Sequence, residues 1–269
     1  MAKAEKLPME QAWKNWSDCL KGDDPNSIFQ QISTMIWDTA IFRIIIEARQ
    51  LQIKKNPQEP EINGALHSFI DRNYFQSQSA YIRRLTEKSY GLTGKYGVYS
   101  VGAIINDICS YRHELTREIF FKLRNMPYDY TEVENREREF ILTQPLGKAF
   151  IVPSEFDWQS IVEAHQIFDR LSGKTPNNRN PNDLIAEGVF DQLREKMVRC
   201  QKITTYVDKF IAHSATPESR ASQNVKKSAV TFKRLWEAHQ IIFEVANFLS
   251  VILFSEDHMA LAIENPTFF

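Results

Sequence analysis

The stretch TTYVDKFIAHSATPESR, residues 204–220, decides the fold class. YVDKFIAHS reads as the end of a helix. Thr216-Pro217-Glu218 reads as the start of the next, with a hydroxyl at the N-cap, proline at the first helical position and an acid at the positive end of the dipole. No strand fits between them, so two long helices abut here, about 182–213 and about 217–255. His213 ends the first. Lys209 lies one helical turn before it, so both side chains reach a common anion.

Working outward, the helical pattern recurs. Trp13, Trp16 and Leu20 share one face of a helix over 8–21. Asp24-Pro25 offers a cap and a first-turn proline for a helix from about Asn26 to Lys54. Its Ile28, Ile32, Met35, Ile36, Phe42, Ile45 and Ile46 follow a buried stripe, and NPQEP (56–60) ends it. A third helix spans about 61–89 through Leu66, Phe69, Ile70, Phe75, Ile82 and Leu85. YGLTGKYG (90–97) is a glycine-rich loop, and a fourth helix runs over about 98–123. Residues 124–153 are less regular and include the charged run TEVENREREF. Ser154 and Asp157 resemble a capping box for a helix over 155–171. GKTPNNRNPND (173–183) is a polar loop whose Asn180-Pro181 reads as another helix start.

This pattern, with only 9 glycines in 269 residues, predicts an all-α protein: an elongated helical bundle of about six to eight helices. One domain is expected, with an N-terminal helix in 1–25, the bundle in 26–255 and a loosely docked tail in 256–269. A net charge of −1 gives no global field for nucleic acid, so any RNA contact is local. Three widely spaced cysteines argue against a disulfide framework. The histidines at 67, 113, 165, 213, 239 and 258 form no metal motif, and no phosphate loop or other cofactor signature is present. The apolar run IIFEVANFLSVILF (241–254) is short and carries Glu244 and Asn247. With no signal peptide at the N-terminus, no membrane association and a cytoplasmic location are expected.

Three polar clusters hold the candidate binding side chains: Arg83 and Arg84 in IDRNYFQSQSAYIRRLTEK (70–88), His113 and Arg117 in YRHELTREIF (111–120), and Asp208 with Lys209 in DKFIAH (208–213). On spacing alone, Arg83–Glu87 is an ordinary helix-surface pair, and His113 and Arg117 share a helical face.

RNYFQSQSAYIRRLTEK, INDICSYRHELTREIFF and YVDKFIAHS, in that order, resemble the helical HEPN domain (higher eukaryote and prokaryote nucleotide-binding) of AbiU-type bacterial abortive-infection proteins. The resemblance covers roughly 30–255. It implies a HEPN-like core, a defence or toxin–antitoxin role, a homodimer, RNA or nucleotide as ligand, and an antitoxin-like protein partner. Many such proteins are metal-independent endoribonucleases whose motif is an arginine, four to six residues, then a histidine. The imidazole moves a proton near neutrality and the guanidinium stabilises phosphoryl charge. His213 matches the histidine, and Lys209 supplies a nearby cation. The arginine is missing: its three candidate positions hold Tyr206, Val207 and Asp208. That departure implies a degenerate site with weak or absent activity. Two other readings stand beside it, an active ribonuclease using His213, and a helical interaction module with Trp13, Trp16 and 241–254 as contact surfaces.

Overall fold

The computed structural model describes residues 6–58, 63–145, 147, 151, 158–212, 215–222, 230–256 and 258. Eleven α-helices run through them: α1 (Met9–Lys21), α2 (Ile28–Lys55), α3 (Gly64–Leu85), α4 (Val101–Ser110), α5 (Arg117–Leu123), α6 (Thr131–Thr143), α7 (Trp158–Ser172), α8 (Glu187–Val198), α9 (Gln201–Tyr206), α10 (Pro217–Ser222) and α11 (Phe232–Phe254). A 3-10 turn occupies Pro176–Asn178, and a π-helical segment, Val207–Ala212, continues α9. Among the described residues no strand occurs, and Thr116 and Leu184 form one isolated bridge. The all-α class expected from the sequence is the observed one.

There are more helices than six to eight because expected long helices are broken by local caps. The helix expected over 98–123 splits at 111–116. Thr116 caps α5 by accepting from the Ile119 N–H, and the Arg117 and Glu118 N–H groups donate to the carbonyls of Asp183 (2.9 Å) and Pro181 (3.0 Å). These are first-turn donors with no partner inside a helix, so their capture makes the break stable. The helix expected over 182–213 starts only at Glu187 and is interrupted at Arg199-Cys200. Asn180-Pro181 forms a turn, in which the Asn180 N–H donates to Asp183 Oδ2 and Asn180 Oδ1 accepts from the Asn182 N–H. The helix expected over 217–255 is two helices. Thr216 accepts from the Ser219 N–H at the start of α10, as the sequence predicts, and Thr231 caps α11 by accepting from the Arg234 N–H.

Other boundaries shift for the same kind of reason. Asp24-Pro25 makes a turn, with Asp24 Oδ1 accepting from the Asn26 N–H at 2.7 Å, and α2 begins after Ser27. The charged run in 124–153 is helix α6. Asp129 accepts from both the N–H and the hydroxyl of Thr131, and Glu132–Arg136 and Glu134–Arg138 pair four apart along the helix. Ser154, Asp157 and tail residues 259–269 lie outside the described residues.

The chain forms two compact units. One is built mainly from Lys14–Asp107 and Gln192–Phe269, the other from Glu5–Trp13 and Ile108–Asp191. In the first, α3 is central and packs on α2, α9, the π segment and α11. Phe42 of α2 and Tyr74 of α3 stack at 3.8 Å between ring centroids, nearly parallel, and Phe232 of α11 closes over both. In the second, Phe120, Phe121 and Phe168 form the apolar centre, and Trp13 meets Phe120 edge-on. By length and composition α11 could cross a membrane, yet 67% of its most apolar window is buried inside the protein. The apolar stripe of 241–254 is therefore spent on the core.

Candidate functional site

Arg83 lies in the last turn of α3. Its Nε donates to Asp208 Oδ1 at 3.0 Å, and the same guanidinium pairs with Glu87 four residues on. Glu87 in turn fixes the chain leaving the helix, because its Oε1 accepts from the N–H groups of Lys88 (2.8 Å) and Ser89 (2.7 Å). The carbonyl of Glu87 accepts from Ser100 Oγ at 2.6 Å, and that hydroxyl also accepts from the Ala103 N–H. Gly102 is required here: a Cβ would run into the carbonyl oxygens of Glu87 and Thr86. The start of α4 thus sits directly against the end of α3. Asn106 of α4 donates to the Lys88 carbonyl at 3.2 Å and accepts from Arg194 Nε at 3.3 Å.

These contacts frame a cavity of about 410 Å³, lined by Arg83, Glu87, Lys88, Asn106, Arg194 and Asp208 among others. Three cationic side chains face two carboxylates. Burial opposes ionisation of Glu87, but the Ser89 N–H and the Arg83 guanidinium outweigh it and hold the carboxyl below its usual range. Burial likewise works against the charge on Arg83, and Asp208 and Glu87 reverse that and raise its pKa. Both groups therefore stay charged at neutral pH, and the cavity is an ionic, hydrogen-bonding site rather than an apolar one.

Of the candidate residues, Arg83 and Asp208 are brought together here. Arg84 points elsewhere: it is exposed, with its guanidinium 4.6 Å from the Tyr81 ring centroid. Lys209 is tied to α10, where its Nζ donates to Ser219 Oγ at 2.9 Å. His213 lies outside the described residues. His113 and Arg117 both lie in the unit away from this cavity, His113 exposed in the turn between α4 and α5 and Arg117 fully buried in α5, so they share no helical face. Arg117 pairs with Asp169 at 2.9 Å and Asp183 at 3.0 Å, lies 4.8 Å from the Phe168 ring centroid, and is structural.

Gly102, Asn106 and Arg194 are among the cavity residues not found from the sequence. Gly102, a glycine inside an apolar helix pattern, was a readable signal of close approach. Asn106 and Arg194 carried none.

The three positions where the resembled motif wants arginine are now placed. Tyr206 stacks on Phe210, Asp208 holds Arg83, and Val207 is 5% exposed. Position 207 therefore has no room for a working guanidinium. Val207→Arg is expected to lower stability by several kcal/mol, because it buries an unpaired charge. Thermal denaturation checks this, and an unchanged melting temperature contradicts it.

No family model, curated protein or solved structure matches the chain.

Proposed function

We propose that the chain is a HEPN-like defence protein that binds RNA through phosphate at the Arg83–Lys88–Arg194 cavity, and that it cleaves RNA weakly or not at all. One observation carries the reading. The guanidinium that the resembled motif lacks in sequence arrives from α3, resting on Asp208 at one of the motif's own arginine positions. Such a fork matches two phosphate oxygens, which an ammonium does not. The same contact explains weak catalysis. Arg83 is already shared between Glu87 and Asp208, so little of its charge is left to meet charge that develops in a transition state. A cytoplasmic location, where RNA is abundant, and an antitoxin-like protein partner belong to the same reading.

The test is fluorescence anisotropy of a labelled unstructured oligoribonucleotide in EDTA. Arg83→Ala and Arg194→Ala are each expected to weaken binding about tenfold, the loss of one charge-assisted contact. Arg84→Ala, outside the cavity, is the control and changes little. No binding by the wild type would sink the proposal and leave the interaction-module reading. Robust metal-independent cleavage that Arg83→Ala abolishes would instead establish an active ribonuclease with its arginine supplied from α3.

A further inference from the structure

The long helix α2 is apolar on two sides. One side is the core face, with Ile28, Phe29, Ile32, Met35 and Phe42 all buried. The other faces solvent. Residues 30, 34, 37, 41, 44, 48, 51 and 55 are exposed without exception. They follow the alternating three- and four-residue steps of a coiled-coil seam. Five in a row are apolar: Trp37 is 68% exposed, Ile41 54%, Ile44 66% and Leu51 66%, with Ala48 between the last two. A scattered exposed leucine needs no explanation, but an unbroken seam of this length does.

We propose that this seam pairs antiparallel with the same seam of a second copy of the chain. Side-chain sizes select the partner and the direction. A two-fold axis between residues 42 and 43 sets Ile41 against the partner's Ile44, Trp37 against the partner's Ala48, and Thr34 against the partner's Leu51. Each large side chain then meets a small or medium one, as knobs-into-holes packing needs. The flanking residues also fit. Glu47 faces the partner's Ala40 and Lys54 faces the partner's Ser33, so no like charges meet. A parallel pair in register would stack Trp37 on its copy, leave a gap at Ala48, and bring Lys55 against its copy. Because a two-fold interface presents one patch to itself, self-complementarity of this kind points to a second copy rather than to a foreign helix. The seam lies apart from the Arg83 cavity residues, so this inference stands or falls separately from RNA binding.

Light scattering on the full chain is expected to give twice the 31.4 kDa chain mass at tens of micromolar. Ile44→Asp should keep the circular dichroism of the wild type and be monomeric, with the dimer Kd raised at least about a hundredfold by the buried carboxylates. Direction is read by mixing a Trp37→Cys chain with an Ala48→Cys chain under oxidation. A linked dimer is expected from the mixture, and far less from either variant alone. A monomeric wild type, as would result if another segment of the chain covers the seam, overturns the proposal. So does a dimer that survives Ile44→Asp, or cross-linking as strong from each variant alone as from the mixture.

Discussion

Arg117→Ala is expected to cost about 3–5 kcal/mol of stability, the loss typical when one partner of a buried ion pair is removed. Arg117 is 0% exposed. Besides Asp169 and Asp183 it donates to the His165 carbonyl and to Ser172 Oγ, each at 3.3 Å. Alanine leaves a void beside Phe168 and removes the guanidinium paired with Asp183, which is also buried. Asp169 keeps a second partner, Arg179, at 2.7 Å, so most of the loss is assigned to Asp183 and the void. Arg117→Met with Asp183→Asn should recover part of the stability, since the uncompensated carboxylate goes with the guanidinium. Urea unfolding followed by circular dichroism measures all three proteins. A loss under about 1 kcal/mol for Arg117→Ala would match an exposed pair and contradict the buried network.

Asp169 adds a pH dependence of definite sign. Burial alone would raise its pKa, but Arg179 and Arg117 outweigh burial and bring the carboxyl below its ordinary value near 3.8. A carboxyl depressed on folding contributes stability that is present above the unfolded pKa and is lost as pH falls through the folded one.

The second large effect belongs to His239 in α11, and it appears at milder acidity. His239 is 3% exposed, and among the described residues neither ring nitrogen has a hydrogen-bond partner. Burial pushes its pKa down to about 4 from an ordinary value near 6.5. Above pH 6.5 the ring is neutral in both states and nothing is lost. As pH falls toward 4 the unfolded ring takes a proton that the folded ring refuses, so stability drops, by about 2–3 kcal/mol between pH 7 and 4.5. Below the folded pKa no further loss comes from this group. His239→Leu should remove this component and leave a smaller slope. His165 also contributes to that remainder, since burial lowers its pKa against the opposing pull of the Tyr128 carbonyl. Urea unfolding of both proteins at pH 7 and 4.5 decides it, and parallel pH profiles contradict the assignment.

Helix existence was legible in the sequence wherever apolar spacing was strong, as in α1, α2, α3 and α7. Helix ends were legible only where proline marked them. Pro217 announced α10, with Thr216 as its cap. Thr116 and Thr231 cap helices just as well, but each stands inside a run whose apolar spacing continues through it, so the pattern reads as one long helix. The break at 111–116 also depends on carbonyls of Pro181 and Asp183, about 65 residues away, which no local reading supplies. Helix α6 was missed for the opposite reason: its stability lies in charge pairs and an Asp129 cap, with Val133 its only buried residue. At the candidate site, the Arg83–Glu87 pair followed from spacing. The contact of Arg83 with Asp208 did not, because it joins segments 125 residues apart. The stripe expected along α2 holds none of the exposed seam residues Trp37, Ile41, Ile44, Ala48 and Leu51, since a periodicity count does not distinguish a buried face from an exposed one.

Under the proposed function, RNA meets the protein at the cavity between the end of α3, the start of α4 and the α8–α9 segment. Photo-cross-linking of a 4-thiouridine-substituted oligoribonucleotide to the full chain, followed by peptide mass spectrometry, tests it most directly. Cross-linked peptides are expected from residues 83–106 and 194–208, competed away by unlabelled RNA and depleted in Arg83→Ala. Competable cross-links confined to other segments, with none in those two, would contradict it.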